Sequence, residues 1–200
     1  MKRGRAVPPG AVRIAGGSLR GSRLSVPALP DLRPTPARLR ETLFNWLRPV
    51  IEGARVLDLF AGSGALAIEA LSRGAAHALM IERDRGQAAR IAADLLRLRA
   101  GERGEVRCVD ALHALMQPPE QSFDVVFLDP PFDADIWTRA ASLLEEHAWL
   151  APEARVYIEM SLQASFEPPA GWTPYRQSRV GAVLGALYVS SKQVIGQPRC

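Results

Sequence analysis

The sequence predicts an α/β protein built on a doubly wound, mostly parallel sheet. Three observations carry that expectation. Short, nearly continuous apolar runs recur at Val56-Leu-Asp-Leu-Phe60, His77-Ala-Leu-Met-Ile-Glu82 and Phe123-Asp-Val-Val-Phe-Leu128, which is how strands buried on both faces read. Helical periodicity lies between them, as in Ala88, Ile91, Leu95 and Leu98 within residues 84–99. Two of the runs end abruptly, one at Gly62-Ser-Gly64 and one at Asp129-Pro-Pro-Phe132, so tight turns stand at their carboxyl ends.

Length and composition suit one globular domain with an appendage: 200 residues, 48% hydrophobic and 23% charged. Residues 1–34 are expected to form a basic arm and hairpin, 35–192 the main domain, and 193–200 a tail. No apolar run approaches the roughly 18 residues that cross a bilayer, and Met1-Lys-Arg-Gly-Arg5 leads into no apolar signal core. A cytoplasmic, monomeric protein is expected, with no membrane partner. The two cysteines, Cys108 and Cys200, have no metal-ligand spacing. Cys108 reads as a core residue of a strand. His77, His113 and His147 are scattered, so neither a metal site nor a catalytic triad is expected.

Charge is unevenly spread. Residues 1–50 hold ten Lys or Arg against Asp31 and Glu41, a net of +8, which leaves −4 for the other 150 residues of a chain carrying +4. Arg13-Ile-Ala-Gly-Gly-Ser-Leu-Arg-Gly-Ser-Arg-Leu24 alternates apolar and basic residues around glycine turns, as a small hairpin offering Arg20 and Arg23 to a polyanion would. The plainer account is a solvated arm biased to Arg, since Lys2 and Lys192 are the only lysines. Next, Thr35 and Pro36 read as the N-cap and first position of a helix, with Leu39, Leu43, Trp46 and Leu47 at helical spacing.

After the first core strand, Gly62 and Gly64 permit positive φ and close approach of a ligand, and Ala65–Ser72 reads as a helix whose N–H groups point at it. Gly62-Ser-Gly-Ala-Leu-Ala67 also satisfies a loose dinucleotide pattern, so a nicotinamide-dependent oxidoreductase stays open. Asp58 tells against it: a carboxylate there crowds a pyrophosphate but suits a cationic ligand. Glu82, at the next strand end, is placed to accept from ribose hydroxyls. Residues 105–109 read as a strand ending at Asp110, itself a ready N-cap for a short helix over 111–116.

Asp129-Pro-Pro-Phe132 follows the strand Phe123–Leu128. An exocyclic amino group on a base is a poor nucleophile because its lone pair is delocalised into the ring. Accepting its two hydrogens, with the Asp129 carboxylate and the Pro130 carbonyl, would turn that lone pair outward, while Pro131 stiffens the turn and Phe132 stacks on the base. A capping Asp in a proline turn would explain the tetrapeptide alone; its position after a strand and downstream of a glycine turn favours the chemical reading. Beyond it come an amphipathic helix over 136–149, a fifth strand over 155–160, and a strand pair, 172–180 and 182–190, turning near Gly181.

Asp58-x-x-x-Gly62-x-Gly64 with an acidic second strand end resembles the class I S-adenosylmethionine methyltransferases over about residues 55–190, and Asp129-Pro-Pro-Phe132 resembles the signature of enzymes that methylate amino groups of adenine, guanine or cytosine. Arg13-Ile-Ala-Gly-Gly17, Arg33-Pro-Thr35 and Arg40-Glu-Thr-Leu-Phe-Asn-Trp-Leu47 ahead of Phe60-Ala-Gly-Ser-Gly-Ala-Leu66 further resemble the bacterial small-subunit (16S) ribosomal RNA guanine-N2 methyltransferases of the RsmD type. The resemblance implies a Rossmann-like sheet of seven strands with one antiparallel. It implies that Asp58, Phe60, Ala61, Gly62, Ser63, Gly64, Glu82, Asp110, Ala111 and Thr35 surround S-adenosyl-L-methionine. Asp129, Pro130, Pro131 and Phe132 would then be catalytic, and Arg13, Arg20, Arg23, Arg33 and Arg38 would grip 16S ribosomal RNA or the small ribosomal subunit. An adenine-N6 methyltransferase shares most of these features, and a non-catalytic RNA-binding protein would keep the arm.

Overall fold

Val56 and Leu57 are both fully buried, on opposite sides, because β3 (Arg55–Asp58) runs through the interior of a sheet packed on both faces. The computed structural model describes residues 10–25, 36–130 and 134–191. Among them the chain forms β1 (Ala11–Arg13), β2 (Arg23–Ser25), α1 (Ala37–Leu47), β3, α2 (Ala65–Ser72), β4 (His77–Ile81), α3 (Arg85–Arg97), β5 (Gly104–Arg107) and α4 (Ala111–Leu115). It continues through β6 (Phe123–Leu128), α5 (Ala134–Glu146), β7 (Leu150–Ser161), β8 (Trp172–Val180) and β9 (Val183–Ser190). Strands β1 and β2 pair on their own, while the main sheet has the order β5-β4-β3-β6-β7-β9-β8. Pairing is parallel except at β9, which is antiparallel to both neighbours and is the expected reversed strand.

Alternation along each strand divides the core in two. Val56, Met80, Val125, Phe127 and Tyr157 face α1, α2 and α3. Leu57, Leu79, Val126, Leu128 and Ile158 face α4 and α5. Each fully buried aliphatic side chain contributes roughly 1.5–3 kcal/mol.

Several boundaries differ from those the sequence suggests. Pro36, expected as the first helical residue, is instead the N-cap position of α1, with extended ψ of 133° and its carbonyl accepting from the Arg40 N–H at 3.0 Å. Proline has no N–H to lose and its carbonyl is free to start the helix. β5 stops at Arg107 because it is an edge strand whose last partner is Ile81, where β4 itself ends. Cys108 therefore lies outside the sheet and is exposed, not a core residue. α5 ends at Glu146, short of residue 149, where Ala148 takes φ of 55° and swings Trp149 inward to stack on Phe123 at 5.8 Å. β7 starts earlier than residue 155, since Leu150 pairs with Phe123 ahead of an irregularity in the register.

The N-terminal hairpin is fastened to this core by a buried acid. Glu69 of α2 has a fully buried side chain and accepts from the N–H groups of Ala15 (2.7 Å) and Gly16 (2.8 Å) and from Arg73 Nε (2.7 Å). Next to it the Ser18 N–H donates to the Ser72 carbonyl, and the Leu19 N–H to Ser72 Oγ. Gly17 has φ of +76° and a Cβ there would sit 1.8 Å from the Ser72 carbonyl oxygen, so only glycine allows this docking. Val12, Ile14 and Leu24 are buried beneath it with Leu43 and Phe44. Removing the acid strands two N–H groups, so Glu69→Ala should destabilise the protein by about 3–5 kcal/mol. Urea unfolding would measure the loss, and protease cleavage within residues 15–22 should become faster while the sheet is still folded.

Candidate active site

The strands of the main sheet deliver one polar residue after another to a common edge. At that edge the order of strands reverses: the chain steps outward from β3 to β4 and β5, then returns to place β6 on the other side of β3. Such a reversal leaves a crevice at the carboxyl ends, because the two central loops depart to opposite faces. Here the loop after β3 leads to α2 on one face, and the segment after β6 leads to α5 on the other.

The β3 loop straddles its neighbours. The Leu59 N–H donates to the Phe127 carbonyl at 3.1 Å and the Ala61 N–H to the Ile81 carbonyl at 3.0 Å. Gly62 and Gly64 have φ of +54° and +71°, and a Cβ on Gly64 would lie 3.1 Å from Ile91 Cγ2. Gly64 caps α2, and its bareness lets α2 settle against α3. Phe60, Gly62 and Ser63 are half-buried, and Ala61 is buried. Glu82, one residue beyond β4, is 8% exposed. Its Oε2 accepts from the Gly62 N–H at 2.8 Å and its Oε1 from the Asp84 N–H at 2.7 Å, clamping the glycine turn to the next strand end.

Asp58 is 2% exposed. Burial pushes its carboxyl from 3.8 up to about 7; the backbone N–H groups of Ala67 and Phe60 restrain that rise, and the nearby negative charge of Glu82 adds to it. Past β5, Asp110 is exposed and caps α4, its Oδ1 accepting from the His113 N–H at 3.1 Å; Ala111 behind it is buried. Asp129 is half-buried and Pro130 buried, immediately after β6, the strand that pairs with β3 through Asp58 and Phe127. Pro131, Phe132, Arg33 and Thr35 lie outside the described residues.

A second feature borders α1. Arg13 and Arg23 are exposed and stand directly opposite each other across the hairpin, a like-charge pairing that disfavours the isolated strands. Arg20 is exposed at the turn and Arg38 on α1. Between hairpin and helix runs a groove of about 550 Å³ lined by Arg13, Arg20, Pro36 and Arg40 among others. Arg40 is only 4% exposed, and its Nη2 donates to the Arg13 carbonyl at 2.8 Å.

A sequence pattern shared by the family described as Conserved hypothetical protein 95 matches residues 12–189. The chain belongs to this family. It is 43% identical over 194 residues to Ribosomal RNA small subunit methyltransferase D of Escherichia coli K12, covering 96% of this chain and 97% of that one. It is 43% identical over 181 residues to the protein of the same name from Haemophilus influenzae, covering 90% and 94%. The solved structure of yhhF from Escherichia coli superposes with a TM-score of 0.85 at 44% identity, covering 92% of this chain and all of that one.

Within this family fold, four polar residues have roles that sequence reasoning did not assign. Glu69 and Arg40 hold the hairpin, and Tyr157 and Glu159 of β7 are buried beside the tip of β6. The available signal was a charged residue inside an otherwise apolar run, as in Ala67-Ile-Glu69-Ala and Tyr157-Ile-Glu159-Met.

A carboxyl whose folded pKa is raised contributes stability in full below its unfolded value, and that contribution is lost as pH rises through the folded value. For Asp58 the window runs from about pH 4 to about pH 7. Asparagine mimics the neutral acid, so across that window the ligand-free wild type should lose up to roughly 4 kcal/mol relative to Asp58→Asn. Urea unfolding of both proteins at several pH values measures the difference; parallel stability curves would contradict a buried, titrating Asp58.

Proposed function

We propose that this protein transfers a methyl group from S-adenosyl-L-methionine to the exocyclic N2 of a guanine in small-subunit ribosomal RNA. The observation that carries the reading is the adjacency of two strand tips at the sheet's reversal: the glycine turn follows β3 and Asp129-Pro130 follows β6, and these two strands pair side by side in parallel. The names of the relatives support methylation of ribosomal RNA.

The residues fit the cofactor. A buried acid at the end of β3, with a second acid beside it just past β4, opposes a pyrophosphate and suits a ligand bearing an ammonium and ribose hydroxyls. Asp58 would hold the cationic end, Glu82 the hydroxyls, and the Phe60–Gly64 backbone would pack against the ligand. Asp110 would accept from the adenine amino group, with Ala111 beside it, and Thr35 would belong to the same cofactor site. S-adenosyl-L-methionine supplies an activated methyl carried on a sulfonium.

The chain itself has three tasks. Asp129 and the Pro130 carbonyl accept the two hydrogens of the guanine amine, which turns the nitrogen lone pair into the crevice. Under this reading Pro131 would stiffen the turn and Phe132 would stack on the base, and the expelled proton leaves toward Asp129 only as the new N–C bond forms. Arg13, Arg20, Arg23, Arg33 and Arg38 bind phosphates so that the loop carrying the target is held over the site.

Incubating bare and ribosomal RNA with labelled cofactor and identifying the nucleoside by mass spectrometry should give N2-methylguanosine; N6-methyladenosine would replace this reading with its nearest rival. Asp129→Ala should lower turnover by about 10²–10³ or more, with cofactor affinity unchanged by calorimetry. Full turnover by that variant would remove Asp129 from the chemistry. Replacing Arg20 and Arg23 together by Ala should weaken RNA binding and reduce the slope of log K against log salt by about one to two, with cofactor affinity again unchanged.

A further inference from the structure

The strand beside the proposed amine-binding tip carries a buried acid that the chemistry above leaves unused. In the register of β6 with β7, Phe127 pairs with Tyr157 and Leu128 with Ile158, and Glu159 follows one position later at the same edge. Phe127 and Tyr157 share a face, their rings meeting edge-on with centroids 6.4 Å apart. Glu159 stands two residues further along β7 and so shares that face, while Asp129 follows directly on the end of β6 beside it. Both also act on one hydroxyl: burial first, then the negative charges of Glu159 and Asp129, raise the Tyr157 phenol well above its ordinary value.

The acid is held by a fitted arrangement. Glu159 is 7% exposed, and the Tyr157 hydroxyl donates to its Oε2 at 3.1 Å. Across the sheet Glu159 pairs with Gly185 of β9. A Cβ on Gly185 would sit 2.5 Å from the Tyr157 hydroxyl oxygen and 3.0 Å from Leu39 Cδ1 of α1. Glycine there leaves the space that lets tyrosine orient the glutamate, and Leu39 connects this corner to the first turns of α1, beside the Arg-lined groove.

We infer that Glu159 is the residue that selects guanine: it accepts the ring N1–H while Asp129 accepts the neighbouring amine. The inference rests on the function proposed above. The Watson–Crick edge of guanine presents N1–H and the amine as adjacent donors, matching two adjacent carboxylates. Adenine presents its amine beside a bare N1 acceptor, which would face a carboxylate oxygen with no proton between them. A site built to hydrogen-bond a donor rejects an analogue lacking it far more strongly than a shape-based pocket can, because its own buried group is left unpaired. Tyr157 acts through Glu159 and is a positioning residue.

2-Aminopurine separates the two donors, since it keeps the reacting amine but has an acceptor at N1. Full-length protein is assayed on RNA carrying guanine or 2-aminopurine at the nucleotide identified as modified. The wild type should favour guanine by about 100-fold or more in kcat/KM. Glu159→Gln, whose amide can accept from one base or donate to the other, should bring that ratio to within about tenfold. Tyr157→Phe should shift the ratio in the same direction by a smaller factor. Equal turnover of both bases by the wild type overturns the assignment without any variant. So does a Glu159→Gln protein that slows on both bases while keeping the wild-type ratio, the mark of a purely structural acid. Failure of the wild type to methylate guanine N2 at all would instead overturn the parent reading.

Discussion

Burial of β3 between β4 and β6 is the constraint on which the rest depends. A strand covered on both faces can present ligand-binding groups only at its end, and Asp58 to Gly64 occupy that end. The chain to either side departs to opposite faces of the sheet, α2 on one and α5 on the other, so the space between the tips of β3 and β6 is left open without any residue being removed to make it. The core therefore creates the crevice as a by-product of its own packing. Leu57, Val56, Phe127 and Leu128 support the site although none of them needs to touch a ligand.

Charge is segregated to match. Along the carboxyl edge run Asp110, Glu82, Asp58, Asp129 and Glu159, one acid from each of five neighbouring strand ends. Such a row repels a polyanion. A phosphate backbone must therefore be attracted from elsewhere, and the exposed Arg13, Arg20 and Arg23 of the hairpin stand where the cationic excess of the first fifty residues is concentrated. Under the proposed function the acids read the uncharged polar edges of cofactor and base, and the arm supplies the salt-sensitive attraction.

For that division to work the arm must be held in a set position, and its fastenings are unusually internal. Glu69 and Asp94, on α2 and α3, accept from backbone N–H groups of the hairpin, while Arg40 and Arg97 donate to its carbonyls. Arg73, bonded to Glu69, lies over Phe44 at 5.0 Å, and Phe44 packs edge-on against Phe127. The hairpin thus rests on the same core that carries the β6 tip.

The local signals were legible because they depend on neighbours in sequence. Apolar runs, helical spacing and glycine turns placed α2 at Ala65–Ser72 and β6 at Phe123–Leu128 without reference to any distant contact. The motif residues Asp58, Glu82, Asp110 and Asp129 were likewise identifiable from their position at run ends. What only the tertiary structure decided was pairing across long separations. That Glu159 lies beside Asp129 follows from strand register, that Gly185 makes room for Tyr157 follows from an antiparallel neighbour, and that Glu69 holds Ala15 and Gly16 follows from a contact spanning more than fifty residues. Periodicity also placed Cys108 inside, but it could not see that β5 is an edge strand ending with its partner. A sequence specifies each element's own preferences, whereas the partner of a buried polar atom is chosen by the geometry of the whole sheet.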